Sequence, residues 1–170
     1  EYSTVNVDGT QQTSLKTPDS CCGEAVLKSR GLLAWTSWNA TTGLTGRTHV
    51  LDIAGGQDAL LASTNDTASN FLDPVFSPDG NWLAVRHHGG GTDGVQLALI
   101  AADGSGAPID LEPRFNEKPA QMDATFSPDG TKLLVSYGGG STWLYSVPDG
   151  NGTKVEWPAV VNASWQRLAP

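Results

Sequence analysis

Phe76-Ser77-Pro78-Asp79-Gly80 returns fifty positions later, residue for residue, as Phe126-Ser127-Pro128-Asp129-Gly130. The likeness is wider than the turn. Residues 73–85 align with 123–135, and the shared positions are Asp, Phe, Ser, Pro, Asp, Gly, Leu and Val. A common turn alone does not carry identity that far, so the chain is built of repeats. Within each copy Pro78 or Pro128 sets φ near about −65° for a turn, Asp accepts hydrogen bonds from the following backbone, and Gly tolerates φ > 0. Each copy therefore predicts strand, tight turn, strand. Pro78, Asp79 and Gly80, like Pro128, Asp129 and Gly130, are structural turn residues on this reading, and the aspartates have no catalytic part. The runs Trp82-Leu83-Ala84-Val85 and Lys132-Leu133-Leu134-Val135 then suit buried strands.

A repeat of about fifty residues holding several strands has the size of one propeller blade. The Phe-Ser-Pro-Asp-Gly turn with its following Leu and Val resembles the WD40-like (PD40) repeats of TolB-type β-propellers. That fold also occurs beside peptidase domains of the prolyl oligopeptidase type. The resemblance implies an all-β chain, a β-propeller of four-stranded antiparallel blades, and says little about activity.

Projected backward, the register lands on Leu32-Leu33-Ala34-Trp35, aligned with Trp82-Leu83-Ala84-Val85. An eroded third copy thus starts near Glu24, with Lys28-Ser29-Arg30-Gly31 where the Pro-Asp-Gly turn would be and its next strand over 48–53, ending at Gly55-Gly56. Third strands are expected over 95–101 and 142–147, closed by Asp103-Gly104 and Asp149-Gly150, hairpin turns in which both residues accept φ > 0. Fourth strands, over 107–111 and 154–157, should be outermost and most solvated. Residues 2–7 with Asp8-Gly9 look like a third strand and its turn, and Asn162-Ala163-Ser164-Trp165 matches the first strand Asp123-Ala124-Thr125-Phe126. The expected organisation is one propeller domain over 1–170, with blades near 24–72, 73–121 and 122–158 and partial blades at 1–16 and 159–170. Closed propellers have roughly 4 to 8 blades. Either the two ends complete a fourth blade, or the chain is an arc of a larger propeller; too few residues follow Trp165 to supply the missing second strand, which favours the arc.

Composition narrows the function. With 170 residues, 38% of them hydrophobic, the chain can bury a core, and 20 Gly and 10 Pro without a long helical pattern favour many short strands. Eighteen acids against ten Lys and Arg give a net charge of −8, which repels nucleic acid and anionic lipid, and no stretch is apolar enough for a membrane span. Cys21 and Cys22 are adjacent, without CxxC or CxxCH; ordinary thiols, a disulfide involving one or both, and redox or metal chemistry all stay open. The chain opens at Glu1 without a Met or an apolar leader, which reads as a mature or excised segment whose signal peptide is gone, and so as periplasmic or secreted. Sequons begin at Asn39, Asn65, Asn151 and Asn162, so a glycan is possible.

Chemistry-bearing residues outside the repeat are few. His87 and His88 end a predicted strand beside Gly89-Gly90-Gly91, and because adjacent strand residues face opposite ways they do not form a ready metal pair. The next copy has Tyr137 and Gly138 there, which makes His87 and His88 candidates for partner or ligand contact; His49 is read as structural. The glycines of 89–94 satisfy GxGxxG but open no helix, so no phosphate cradle follows, and Gly138–Gly140 reads as a hairpin loop. Asp73 and Asp123 recur at the mouth of the first strand, where propellers line their channel; they suit either local backbone amides or a cation or basic partner. Of six Trp, Trp35 and Trp165 fall on repeat-core positions, whereas Trp38, Trp82 and Trp157 are candidate contact residues. Catalytic, cofactor and metal residues are none on this reading: no GxSxG occurs, no triad is recognisable, and no carboxylate pair stands out.

The expected function is a non-catalytic module outside the cytoplasm that serves as a protein–protein interaction scaffold in a larger assembly, completed by a protein partner or further blades. Two alternatives stand beside it: the propeller portion of a prolyl-oligopeptidase-like hydrolase whose catalytic domain lies elsewhere, and a carbohydrate-binding module using exposed Trp.

Overall fold

The structure, a computed structural model, describes residues 2–6, 8–15, 17, 20–38, 46–61, 70–88, 94–115, 122–138, 140–157 and 163–165, except the side chains of 21, 22 and 113–115. Its described elements are fourteen strands: β1 (Tyr2–Thr4), β2 (Thr13–Leu15), β3 (Ser20–Leu27), β4 (Leu32–Trp38), β5 (Gly46–Asp52), β6 (Gln57–Leu60), β7 (Asn70–Phe76), β8 (Trp82–His88), β9 (Val95–Ala101), β10 (Ile109–Phe115), β11 (Met122–Phe126), β12 (Lys132–Tyr137), β13 (Ser141–Ser146) and β14 (Gly152–Val155). They form three four-stranded antiparallel meanders, β3–β6, β7–β10 and β11–β14, and a two-stranded sheet, β1–β2. The class is all-β, with sheets stacked as propeller blades are stacked.

Each Phe-Ser-Pro-Asp-Gly turn closes the first two strands of its sheet. The Ser77 hydroxyl donates to Asp79 Oδ1 at 2.5 Å and accepts from the Trp82 amide at 3.0 Å, while Asp79 Oδ1 accepts the Asn81 amide at 3.1 Å. Ser127, Asp129, Thr131 and Lys132 repeat this, with 2.6, 2.9 and 3.1 Å for the matching bonds. Gly80 and Gly130 sit at φ +71° and +73°, where glycine carries no Cβ penalty. At Gly80 the space is also taken, since a Cβ would lie 2.5 Å from Leu27 Cδ2. The eroded turn of the first sheet lies against it: Arg30 Nη1 donates to the Asp79 carbonyl at 3.0 Å and to Asn81 Oδ1 at 3.3 Å.

Strand alternation then sorts the core. Leu83 and Val85 face the first sheet and join Ala34, Phe71, Ala98 and Ile100, whereas Ala84, Leu97, Leu99 and Leu111 face the third sheet and meet Phe126, Leu133, Val135 and Tyr145. The middle sheet is thus covered on both faces, and β9 is buried along all but its last residue. On the far face of the first sheet, Tyr2 and Leu15 of β1–β2 pack against Leu33, Trp35 and Leu51. Covering is partial there, and Val26 is 54% exposed. The outer strands β6 and β14 are mostly exposed, as edge strands of a blade are.

Two local expectations need correction. At Asp103-Gly104 and Asp149-Gly150 only the glycines take positive φ, +76° and +72°. Asp103 instead turns its carboxylate back to accept the Ser105 amide at 2.9 Å, so it has no need of the left-handed region. The fourth strands are also displaced from the positions expected of them: β10 runs further, to Phe115, and β14 ends at Val155, leaving Trp157 beyond it.

Candidate functional site

The first strands of neighbouring sheets lie closest together. β7 packs against β3, β4 and β5 on one side and approaches β11 on the other. Between the second and third sheets this leaves a cleft of about 420 Å³, bordered by Asp73, Arg86 and Asp123 and floored by Val75, Leu97 and Met122. The two recurrent aspartates therefore share one cleft.

Asp73 reaches it through an irregularity. The pairing of β7 with β8 shifts between Leu72 and Val75, and Asp73 takes φ +52°, a conformation that Asp tolerates better than most residues. Behind it β3 approaches so closely that a Cβ on Gly23 would lie 2.6 Å from Asp73 Oδ1 and 2.8 Å from its Cα. Its carboxylate forms an ion pair with Arg86 of β8.

The other sequence candidates do not gather in this cleft. His87 is mostly buried, stacked on Phe71 at 4.4 Å between ring centroids, with Nδ1 2.7 Å from Asp110 Oδ1. The stack and the carboxylate hold its ring in place. His88, next on the strand, is half-buried, and Trp38 is half-buried at the end of β4. Trp82 packs partly into the core between the second and third sheets and borders a second, larger cleft of about 690 Å³ with Arg30, Asn81 and Asp103. Trp157 is 53% exposed. Residues 89–93 and 139 and the sequons at Asn39, Asn65 and Asn162 lie outside the described residues, as do the side chains of Cys21 and Cys22; Asn151 is exposed in the turn before β14. Among the described residues no three His, Cys, Asp or Glu side chains converge as a metal site requires.

Two side-chain networks escaped the reading of the sequence. On the first sheet His49 holds Asp58 Oδ2 at 3.0 Å through Nδ1 and Ser37 Oγ at 3.0 Å through Nε2, with its ring stacked on Trp35 at 4.2 Å. Trp35 Nε1 donates to the other oxygen of Asp58 at 3.2 Å. Ser37, His49 and Asp58 stand in the order of a nucleophile relay, but Ser37 lies inside the central strand β4, paired with β3 and β5, and the same groups tie β4, β5 and β6 together. The cross-strand pair Trp35↔His49 was the signal available, once the register of β4 and β5 is known. In the third sheet the Tyr145 hydroxyl donates to the Glu112 carbonyl of the middle sheet at 2.6 Å and lies 3.0 Å from the Tyr137 hydroxyl. Burial pushes the Tyr137 phenol up to about 12 and raises that of Tyr145 as well.

The fold and its interblade cleft define a propeller-type module. No family model matches the chain, and no curated protein matches it in sequence. Solved structures do. A TolB-like protein of Agrobacterium tumefaciens is 16% identical with a TM-score of 0.51, over 73% of this chain and 44% of that one. The KlAtg21 chain in its complex with the coiled coil of AgAtg16 gives 14% and 0.56, over 82% and 43%. The tricorn protease gives 11% and 0.52, over 91% and 24%. The chain thus spans less than half the length of these structures, and at such identities the likeness shows the fold alone.

Proposed function

We propose that the chain is a non-catalytic β-propeller module that acts outside the cytoplasm as a docking surface for protein within a larger assembly. The observation that carries this reading is the cleft between the second and third sheets, with charged groups at its rim and apolar side chains beneath, held on sheets whose core is packed from both sides. A rigid scaffold of stacked sheets with a recess at its first strands is suited to holding a partner's side chains in place. The KlAtg21 complex, a propeller-like neighbour seen with a protein partner, is consistent with such a role. Isolation from the natural source under mild conditions, followed by native mass measurement, tests it: a stoichiometric protein complex is expected, and a lone monomer overturns it.

A second reading has its own support in the tricorn protease and in a dipeptidyl aminopeptidase IV-like protein of Bacteroides ovatus, 15% identical with a TM-score of 0.50 over 84% of this chain and 27% of that one. On that reading the module belongs to a hydrolase and filters access to a catalytic domain elsewhere in the protein. The complete precursor sequence decides it, because the hydrolase requires an α/β segment with a GxSxG nucleophile turn.

A further inference from the structure

We propose that Asp149-Gly150-Asn151-Gly152-Thr153 is an N-glycosylation site, with Asn151 the residue modified and Asp149 part of what the transferase reads. The inference rests on the reading above that the chain acts outside the cytoplasm, and it adds a site of covalent modification. Of the four sequons, the one at Asn151 has an acid two residues earlier; Asn39, Asn65 and Asn162 have Ser37, Ser63 and Val160 there. A transferase with a cationic group facing that position takes this sequon and passes over the other three.

The turn between β13 and β14 holds the segment in the open. Asp149, Asn151, Gly152 and Thr153 are all exposed. The backbone is fixed, since the Gly150 amide donates to the Ser146 carbonyl at 2.8 Å and the Ser146 amide to the Asn151 carbonyl at 2.9 Å. The two side chains are not. Among the described residues the carboxamides of Asn6, Asn70 and Asn81 each bond a neighbour, and the carboxylates of Asp8, Asp52, Asp79, Asp103 and Asp129 each accept an amide of their own turn. The Asn151 carboxamide and the Asp149 carboxylate make no such bond, so neither has to leave a partner to enter a transferase. In the transfer, Asn151 Nδ2 bonds to the anomeric carbon of a lipid-pyrophosphate-linked oligosaccharide as that carbon's bond to the pyrophosphate breaks. The lipid pyrophosphate leaves with the electron pair, and a base of the transferase takes the amide proton. The glycan then stands beside β14, the edge strand of the third sheet, and hinders its pairing with another chain. β11 is at the opposite edge of that sheet, so the cleft stays open to a partner.

Protein isolated from the natural source is digested and mapped by mass spectrometry, with fragmentation that keeps a sugar on its asparagine. A glycan is expected on Asn151 and none on Asn39, Asn65 or Asn162. In a secretion host that supplies an acid-reading transferase and its lipid-linked donor, Asn151→Gln, Thr153→Ala and Asp149→Asn should each abolish the glycan, and Thr153→Ser should keep it. All three positions are exposed, and melting curves confirm that each variant is folded. A bare Asn151 in the natural protein, or a glycan that persists in Thr153→Ala, overturns the proposal. Equal occupancy of all four sequons, or a glycan retained in Asp149→Asn, overturns the part given to Asp149. A native protein complex whose chain carries a bare Asn151 leaves docking standing and refutes this site, whereas a lone monomer with glycosylated Asn151 does the reverse.

Discussion

Ser77 and Ser127 are the residues of the repeated turn whose part is least visible in the sequence. Pro, Asp and Gly announce a turn by themselves, and the reading of Asp79 and Asp129 as turn residues agrees with their hydrogen bonds. The serine announces nothing, yet it is buried, and its hydroxyl joins the Asp79 carboxylate to the Trp82 amide three residues further on. Replacing Ser77 by Ala leaves the Trp82 amide without this acceptor and should cost about 1–3 kcal/mol, read as a lower melting midpoint in denaturant. Gly80→Ala should cost more than a surface Gly→Ala change, because φ +71° and the contact with Leu27 both oppose a Cβ. The pH dependence has two limbs. Hydrogen bonds from Ser77 and Ser127 hold the Asp79 and Asp129 carboxyls below the ordinary range, so the stability they contribute is present above about pH 4 and lost as pH falls further. Burial raises the Tyr137 and Tyr145 phenols, so the folded chain keeps protons that the unfolded chain releases near about pH 10; their contribution is intact below that pH and falls as pH climbs above it, that of Tyr137 being lost through about 12. Denaturation midpoints across pH should fall at both ends, and the alkaline fall should shrink in Tyr145→Phe.

Among the elements, the strands that obey the repeat were legible and those that close contacts between sheets were not. Leu33, Leu83 and Leu133 fall at one repeat position and are all buried, each facing the preceding sheet, which is why an eroded copy was recognisable from Leu33 without its Pro and Asp. β9 was placed to the residue because its apolar run is bounded by glycine on one side and an Asp-Gly turn on the other. The recurrence of Asp73 and Asp123 was likewise visible, but not that a bulge and a left-handed residue would set Asp73 against Arg86. Pairings of this kind depend on register between strands, which a hydrophobic pattern fixes only to the face, not to the partner. The same holds for His49, whose partners Ser37 and Asp58 lie on the strands to either side. His49→Ala removes two hydrogen bonds and a stacked ring and leaves Trp35 a cavity beside it. It should destabilise the first sheet by about 2–4 kcal/mol, whereas His87→Ala, stacked on Phe71, should act on the second. Amide exchange resolved by strand distinguishes the two: protection should drop first in β4–β6 for the one and in β7–β10 for the other.

At the scale of the whole molecule the sheets form a stack in which each has neighbours on either side only, so stability should be close to a sum of sheet and interface terms. The interfaces are unequal. The middle sheet lies between two complete sheets, while among the described residues the first is covered on its far side by Tyr2 and Leu15 of β1–β2, with Val26 54% exposed there. Opening the molecule at β1–β2 therefore exposes little apolar surface, and opening it at β8 and β9 exposes both clusters of the core at once. Native-state hydrogen exchange should follow that order: β1 and β2 amides exchange first, the edge strands β6 and β14 next, and β8 and β9 only through global unfolding. Leu83→Ala, at a fully buried position between two sheets, should lower the global free energy by about 2–5 kcal/mol and reduce protection in β8 and β9 by the same amount. Val26→Thr should leave both nearly unchanged in the isolated chain. If a partner or a further blade is seated on that far face, the same Val26 change should instead weaken the complex, since the valine is then part of a buried interface. Equal protection of β1–β2 and β8–β9 would mean that the stack unfolds as one unit, and the free energies of its interfaces would have to be far more nearly equal than their coverage implies.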